Sequence, residues 1–267
     1  DEHFYKAADG TPFAAEYRFS VIDMPKGTVR AVIEMAHNLS SISLNGTAIK
    51  PDGKLWHNDP AFRTVDISKA VAKGENVLRI EGKKLNNITR TACHRRVKED
   101  EFPYNNNEVE AVYIIGDFGV DNWENRKFSI AKKPPVSMND ITSAGFPFYA
   151  GSVSCTAKAS FKKKPAEAYI ELSDVHTPSA EIRVNGKKAG VLLWQPYRLD
   201  VTKLLKTGVN SIEVIFTTDL QNLMGPNTMP NGLPKGVGPG SFREEHVWSE
   251  ELLLLRRGIG GVRLLYR

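Results

Sequence analysis

The chain has 267 residues, 41% hydrophobic and 25% charged, with 36 Lys and Arg against 31 Asp and Glu for a formal charge of +5. That is the composition of a globular protein with room for two cores of ordinary size. The positive charge is scattered, with only short runs at Lys162-Lys163-Lys164 and His94-Arg95-Arg96; such runs read as solvated surface, which argues against nucleic acid as a partner. No apolar run approaches the roughly 20 residues of a membrane span.

The two cysteines, Cys93 and Cys155, are too few for a disulfide framework and read as free thiols. Asp1-Glu-His-Phe contains no basic, apolar or cleavage region. The sequence alone therefore leaves a cytosolic chain, a processed chain or a fragment as the expectations.

In chain order, the first clear pattern is Ala31-Val-Ile-Glu-Met35, where apolar and polar residues alternate with the period of a half-buried strand. Ile42-Ser-Leu runs into Asn45-Gly46, a pair suited to the two left-handed positions of a type I′ hairpin turn. An irregular stretch holding Trp56-His57-Asn58-Asp59 precedes the strand Phe62 to Asp66. One or two helical turns are predicted over Ile67 to Lys73, capped by Ser68 and ended by Gly74, before the strand from Val77 to Ile80. A long irregular insertion then runs from Lys83 to about Asn107, and strand resumes over Val109 to Ile115.

Lys132-Lys133-Pro134-Pro135 cannot continue a sheet ladder and predicts a boundary there, with domains over 1–133 and 134–267. Beyond it the pattern recurs. Ala168-Tyr-Ile-Glu-Leu172 aligns with Ala31 to Met35, and Asn185-Gly186 with Asn45-Gly46. Val201 to Lys206 repeats the short helical stretch, with Thr202 as cap and Gly208 as terminator. Asp66 to Asn76 and Asp200 to Asn210 are both separations of 10 residues. A second long insertion runs from Thr217 to about Glu245, rich in Gly and Pro, and the strands Glu251 to Leu255 and Gly261 to Tyr266 close the chain. Short strands, hairpin turns and little helix predict an all-β protein of two tandem β-sandwich domains. A duplicated unit also argues against one active site assembled across the whole chain.

Five stretches carry a resemblance: Tyr113 to Gly119, Gly145 to Gly151, Ile182 to Gly190, Trp194 to Thr202 and Asn222 to Pro226. With them the chain resembles the C-terminal, non-catalytic region of bacterial rhamnosidase-type glycoside hydrolases. These carry galactose-binding-like jelly-roll domains related to the sugar-binding domain of the β-galactosidase and β-glucuronidase family. The resemblance implies a secreted or periplasmic polysaccharide-degrading system and a catalytic domain in the parent chain. No phosphate loop or dinucleotide fingerprint appears in the sequence, so no cofactor is expected, although jelly-roll domains accommodate a structural calcium held by carbonyls and a carboxylate or two. Relatives often follow the equivalent of Gly225-Pro226 with histidines; Asn227-Thr228-Met229 stands here, so no role of those histidines transfers.

Candidate chemistry divides by residue type. Asp66 and Asp200 are the most conspicuous carboxylates, but their equivalent places point to one structural job done twice. The six histidines show no paired metal-ligand spacing. Aromatic platforms are the functional candidates, because a pyranose offers an apolar C–H face ringed by hydroxyls. Trp56 with His57 and Asn58 forms one set, and Trp194 with Tyr197 forms the second, read as its match in the other copy. Tyr104, followed by three asparagines, and Asn222, Arg243, His246 and Trp248 in the second insertion complete the list. The expected function is a non-catalytic carbohydrate-binding accessory module. The rival is a pair of sandwiches that only brace a catalytic domain.

Overall fold

The computed structural model describes residues 7–53, 55–85, 109, 111–121, 128–226 and 252–267. It divides into two compact units, Asp1–Lys133 and Pro134–Arg267. Both are built almost wholly of strand, and the α-helix among the described residues is a single turn, α1 (Gln221–Met224). The chain is an all-β protein of sandwich type.

In unit 1 one sheet contains β1 (Pro12–Val21), β3 (Ser41–Leu44), β4 (Thr47–Ile49), β7 (Gly74–Lys83), β9 (Gly119–Asp121) and β10 (Ser129–Ala131), in the order β4-β3-β7-β1-β10-β9. The other contains β2 (Lys26–Glu34), β5 (Trp56–His57), β6 (Asp59–Asp66) and β8 (Tyr113–Asp117), in the order β5-β6-β2-β8. Unit 2 places β11 (Ser152–Phe161), β13 (Ser179–Val184), β14 (Lys187–Leu192) and β16 (Gly208–Thr217) in the order β11-β16-β13-β14. Its second sheet is β15-β12-β17, from β12 (Ala168–His176), β15 (Arg198–Asp200) and β17 (Gly258–Tyr266).

The path β4-β3-β7-β1 in unit 1 is the path β14-β13-β16-β11 in unit 2, and β6-β2-β8 is β15-β12-β17. Every one of these shared pairings is antiparallel. Period-two patterning explains the burial: on β16, Ile212, Val214 and Phe216 face inward while their neighbours do not. Each unit has its own core. In unit 1 it gathers Val29, Ala31, Ile33, Leu44, Val65, Leu78 and Ile80; in unit 2, Ile170, Leu172, Ile182, Val184, Val214, Phe216 and Ile259.

Polar locks recur at one place in both units. Asn45 and Gly46 have φ of 51° and 79°, and Asn185 and Gly186 have 52° and 77°, as a type I′ turn requires. The turn asparagine also reaches sideways: Asn45 Nδ2 donates to Asn76 Oδ1 at 2.9 Å, and Asn185 Nδ2 to Asn210 Oδ1 at 2.9 Å. Asn76 and Asn210 are fully buried, the first inward residues of β7 and β16. Asn210 Oδ1 accepts the Lys206 amide, and its Nδ2 donates to the Lys206 and Gly208 carbonyls. Asn76 does the same with Ala72 and Gly74. A buried amide with each polar atom partnered ties hairpin, loop and strand start together.

The aspartates are the second lock. Asp66 Oδ1 accepts the Ser68 amide at 2.9 Å and the Ser68 hydroxyl at 2.6 Å, and that hydroxyl accepts the Val29 amide at 2.9 Å. Asp200 holds Thr202 at 2.8 and 2.6 Å, and Thr202 accepts the Ala168 amide at 2.8 Å. One expectation is corrected by these contacts. Val29, not Ala31, is the counterpart of Ala168; a period-two pattern is unchanged by a shift of two, so alternation alone cannot set the repeat register. The stretches after Asp66 and Asp200 each make one turn, the second being the 3-10 turn Thr202–Leu204, the shorter of the one or two turns expected. Gly74 and Gly208 are left-handed, with φ of 93° and 84°, but they open strands rather than end helices. Leu252 to Leu255 is not a strand; its backbone is irregular and half-buried.

Candidate functional site

In unit 1, Asp52 anchors the segment that presents Trp56. Its amide donates to the Thr64 carbonyl, its Oδ2 accepts Arg30 Nε at 3.2 Å and Thr64 Oγ1 at 3.1 Å, and its Oδ1 accepts the Asp66 amide at 3.2 Å. Strand β5 pairs antiparallel with β6 here, Trp56 opposite Arg63 and His57 opposite Asp59. Asn58 turns the chain between them with φ 64°. Trp56 is 53% exposed and follows an exposed Leu55. The Arg63 charge and partial burial push the His37 imidazole below its ordinary value, burial contributing more. Beside His37, Asn38 Nδ2 is buried with no hydrogen-bond partner among the described residues. The segment thus sets an indole opposite a cation, with an imidazole of lowered pKa near that cation.

In unit 2, Trp194 stands between β14 and β15 and is 74% exposed, the most open of the large apolar side chains described. Leu193 and Val191 beside it are also exposed. Tyr197 differs: it packs half-buried against the core, and its carbonyl accepts the Leu172 amide. Arg198 stacks on the Tyr169 ring, 4.1 Å from its centroid.

Trp56 and Trp194 are not equivalent, contrary to the sequence reading. Trp56 lies ten residues before Asp66 on a strand, and Trp194 six before Asp200 in a loop. The β5 strand has no counterpart among the described residues of unit 2. Asn222 is also corrected. It is 3% exposed, its Nδ2 donates to the Leu255 carbonyl at 2.8 Å and its Oδ1 accepts the Leu255 amide at 2.9 Å. Both ends of the amide serve the Leu255 backbone, and its burial leaves it little surface to offer a ligand. Tyr104, Arg243, His246 and Trp248 lie outside the described residues.

The carboxylates do not resemble an acid–base pair. Asp66 and Asp200 stand in different units, and hydrogen bonds from Ser68 and Thr202 hold both below the usual carboxylate range. Among the described residues no group of three or more His, Cys, Asp or Glu gathers as a metal site, and no helix is long and apolar enough to cross a membrane. Cys155 is a free thiol whose pKa burial raises; Cys93 lies outside the described residues.

No family model matches the chain. Over 98 residues it is 33% identical to a protein of Formosa agariphila provisionally named a beta-glucuronidase, covering 35% of this chain and 8% of that protein. Among solved structures it is similar to a rhamnosidase from Novosphingobium sp. PP1Y, at 15% identity and a TM-score of 0.39, over 97% of this chain and 22% of that one. A glycosyl hydrolase family 2 member from Bacteroides cellulosilyticus gives 14% identity and a TM-score of 0.26, over 77% of this chain and 24% of that one. The chain thus spans less than a quarter of the length of each of these proteins.

Proposed function

We propose that the chain is a non-catalytic, carbohydrate-binding accessory region of a secreted or periplasmic polysaccharide-degrading glycoside hydrolase. The observation that carries this reading is Trp194, an indole 74% exposed and the most open of the large apolar side chains described. Leaving such a ring in water forgoes the burial that its area would otherwise contribute. A sugar ring stacked on it recovers part of that, with nearby polar groups taking the hydroxyls. Trp56 beside Arg63 and His37 offers the same chemistry in unit 1. A glycosidase acid needs its pKa raised; Asp66, Glu81, Asp174, Glu181 and Asp200 are all held down by their partners, which supports assigning the catalysis elsewhere.

A site on an open sheet surface binds one ring modestly, and tethering to an enzyme raises its effective concentration. The test is a glycan array on the purified chain, then calorimetry on hits with Trp56→Ala and Trp194→Ala. Loss of a hit in either variant supports the reading and locates the site. One observation favours a second reading: Val191, Leu193 and Trp194 together form an exposed apolar stripe, which suits a sandwich that only braces a catalytic domain. A folded chain that binds nothing on the array would leave that reading standing alone.

A further inference from the structure

Asp174 has a left-handed backbone, φ 52°, near the end of β12. Its Oδ1 lies 2.7 Å from His176 Nε2, and its Oδ2 lies 2.8 Å from Arg256 Nη1. Arg256 in turn donates Nε and Nη2 to the Asn139 carbonyl at 3.1 and 2.9 Å. The side chains of Asp174, His176 and Arg256 are 51%, 42% and 37% exposed. The facing strand is cleared for them: a Cβ at Gly260 would collide with the Asp174 carboxylate, and one at Gly261 with the Ser173 hydroxyl. Both side chains therefore lie flat over β17.

Unit 1 provides the comparison. Its counterpart of Asp174 is Met35, also left-handed, φ 48°, but 4% exposed and apolar. The backbone conformation thus belongs to the fold, and the charged, exposed side chain belongs to unit 2 alone.

We propose that Ser173, Asp174, His176 and Arg256 form the polar subsite of unit 2, which takes two adjacent hydroxyls of a neutral sugar ring. This rests on the carbohydrate-binding reading and deepens it. Two neighbouring hydroxyls offer two O–H donors and two acceptor oxygens. After its internal bonds, each Asp174 oxygen keeps a lone pair. With Nε2 turned to the carboxylate, His176 Nδ1 is an acceptor, and it has no partner among the described residues. Arg256 keeps two of its five guanidinium N–H groups. The cluster thus offers three acceptor positions and two donors, enough to serve both hydroxyls. The cluster is held by its own bonds on a strand end, so little side-chain freedom is lost on binding. Trp194 precedes β15, which runs antiparallel to β12, so it enters at the end of the sheet where Asp174 and His176 stand. That places an apolar platform at the same end as the polar groups.

The experiment is a titration of the ¹⁵N-labelled chain with methyl α-D-mannopyranoside, methyl β-D-galactopyranoside and methyl β-D-glucopyranoside, which differ in the geometry of their vicinal hydroxyls. At least one is expected to shift the amides of Asp174, His176 and Gly260, and Asp174→Asn and Arg256→Gln are each expected to bind it about tenfold more weakly, the loss of one charge-assisted bond. His176→Asn replaces either variant that does not fold. A glycoside bound equally by wild type and these variants, but lost in Trp56→Ala, removes the subsite and leaves the carbohydrate reading intact. A wild-type chain that binds none of the three, and nothing on the glycan array, removes both.

Discussion

Met35 and Asp174 occupy the same left-handed place in the two units, one buried in a core and the other exposed in an ion cluster. The exchange is not symmetric. Met35→Asp puts a carboxylate at a buried position and is expected to destabilise unit 1 by about 3–5 kcal/mol. Asp174→Met removes an exposed charge and is expected to leave the urea midpoint close to that of wild type. Urea melts of the two variants check the contrast.

Asn210 is fully buried with four hydrogen bonds, one of them from Asn185. Asn210→Ala leaves the Lys206 and Gly208 backbone groups and the Asn185 amide without their partner. A loss of about 3 kcal/mol is expected. Asn185→Ala should cost less, and the double variant should cost less than the sum, because the two share one network. Chemical denaturation of the three variants tests this, and strict additivity would break the idea of a shared lock.

Acid is expected to destabilise the fold in two stages. His37 is held below its ordinary value of 6.5, so the folded chain binds fewer protons there than the unfolded one. Stability from that source is full above that value and is lost as pH falls through the folded pKa. Asp66 and Asp200 are held below 3.8 by their hydrogen-bond partners, so their contribution is present above that value and lost below it. Urea melts from about pH 8 to pH 3 should show both stages. In His37→Gln the upper stage should vanish while the lower one stays.

Trp194→Ala should leave stability within about 0.5 kcal/mol, since the ring is 74% exposed. Phe216→Ala, at a fully buried position, should cost about 3–5 kcal/mol. Thermal melts separate the two, and a large loss in the first would mean that Trp194 serves packing rather than recognition.

Much of the architecture is legible in the sequence because it depends on local chemistry. Asn45-Gly46 and Asn185-Gly186 demand their turns whatever surrounds them, and alternation identifies the strands. What depends on register is not legible. Ala31 aligns with Ala168 by pattern, yet Val29 is its counterpart, and only the Ser68 and Thr202 contacts reveal it. Asn76 and Asn210 stand at matched spacing, but nothing in a polar residue announces that it will be buried. The pairing of Asp174, His176 and Arg256 spans more than eighty residues, beyond any local pattern. Trp56 and Trp194 share a residue type and a rough position, and that is all.

Two units that trace one path raise the hazard of strand exchange during folding, when a strand of one copy meets its counterpart's partner in the other. The residues of β1 and β7 guard against it. In register, Glu16 faces Arg79 on β7 and forms an ion pair with it at 3.1 Å. The position equivalent to Arg79 on β16 is Glu213, which faces Thr156. If β1 docked on β16 in the same register, it would set Glu16 against Glu213, two carboxylates directly opposed. If β11 docked on β7, Thr156 would leave Arg79 without that partner. The matching backbone paths thus differ by a reversal of charge on the outer face of the sheets, a small bias of roughly 0.2–1 kcal/mol toward correct docking.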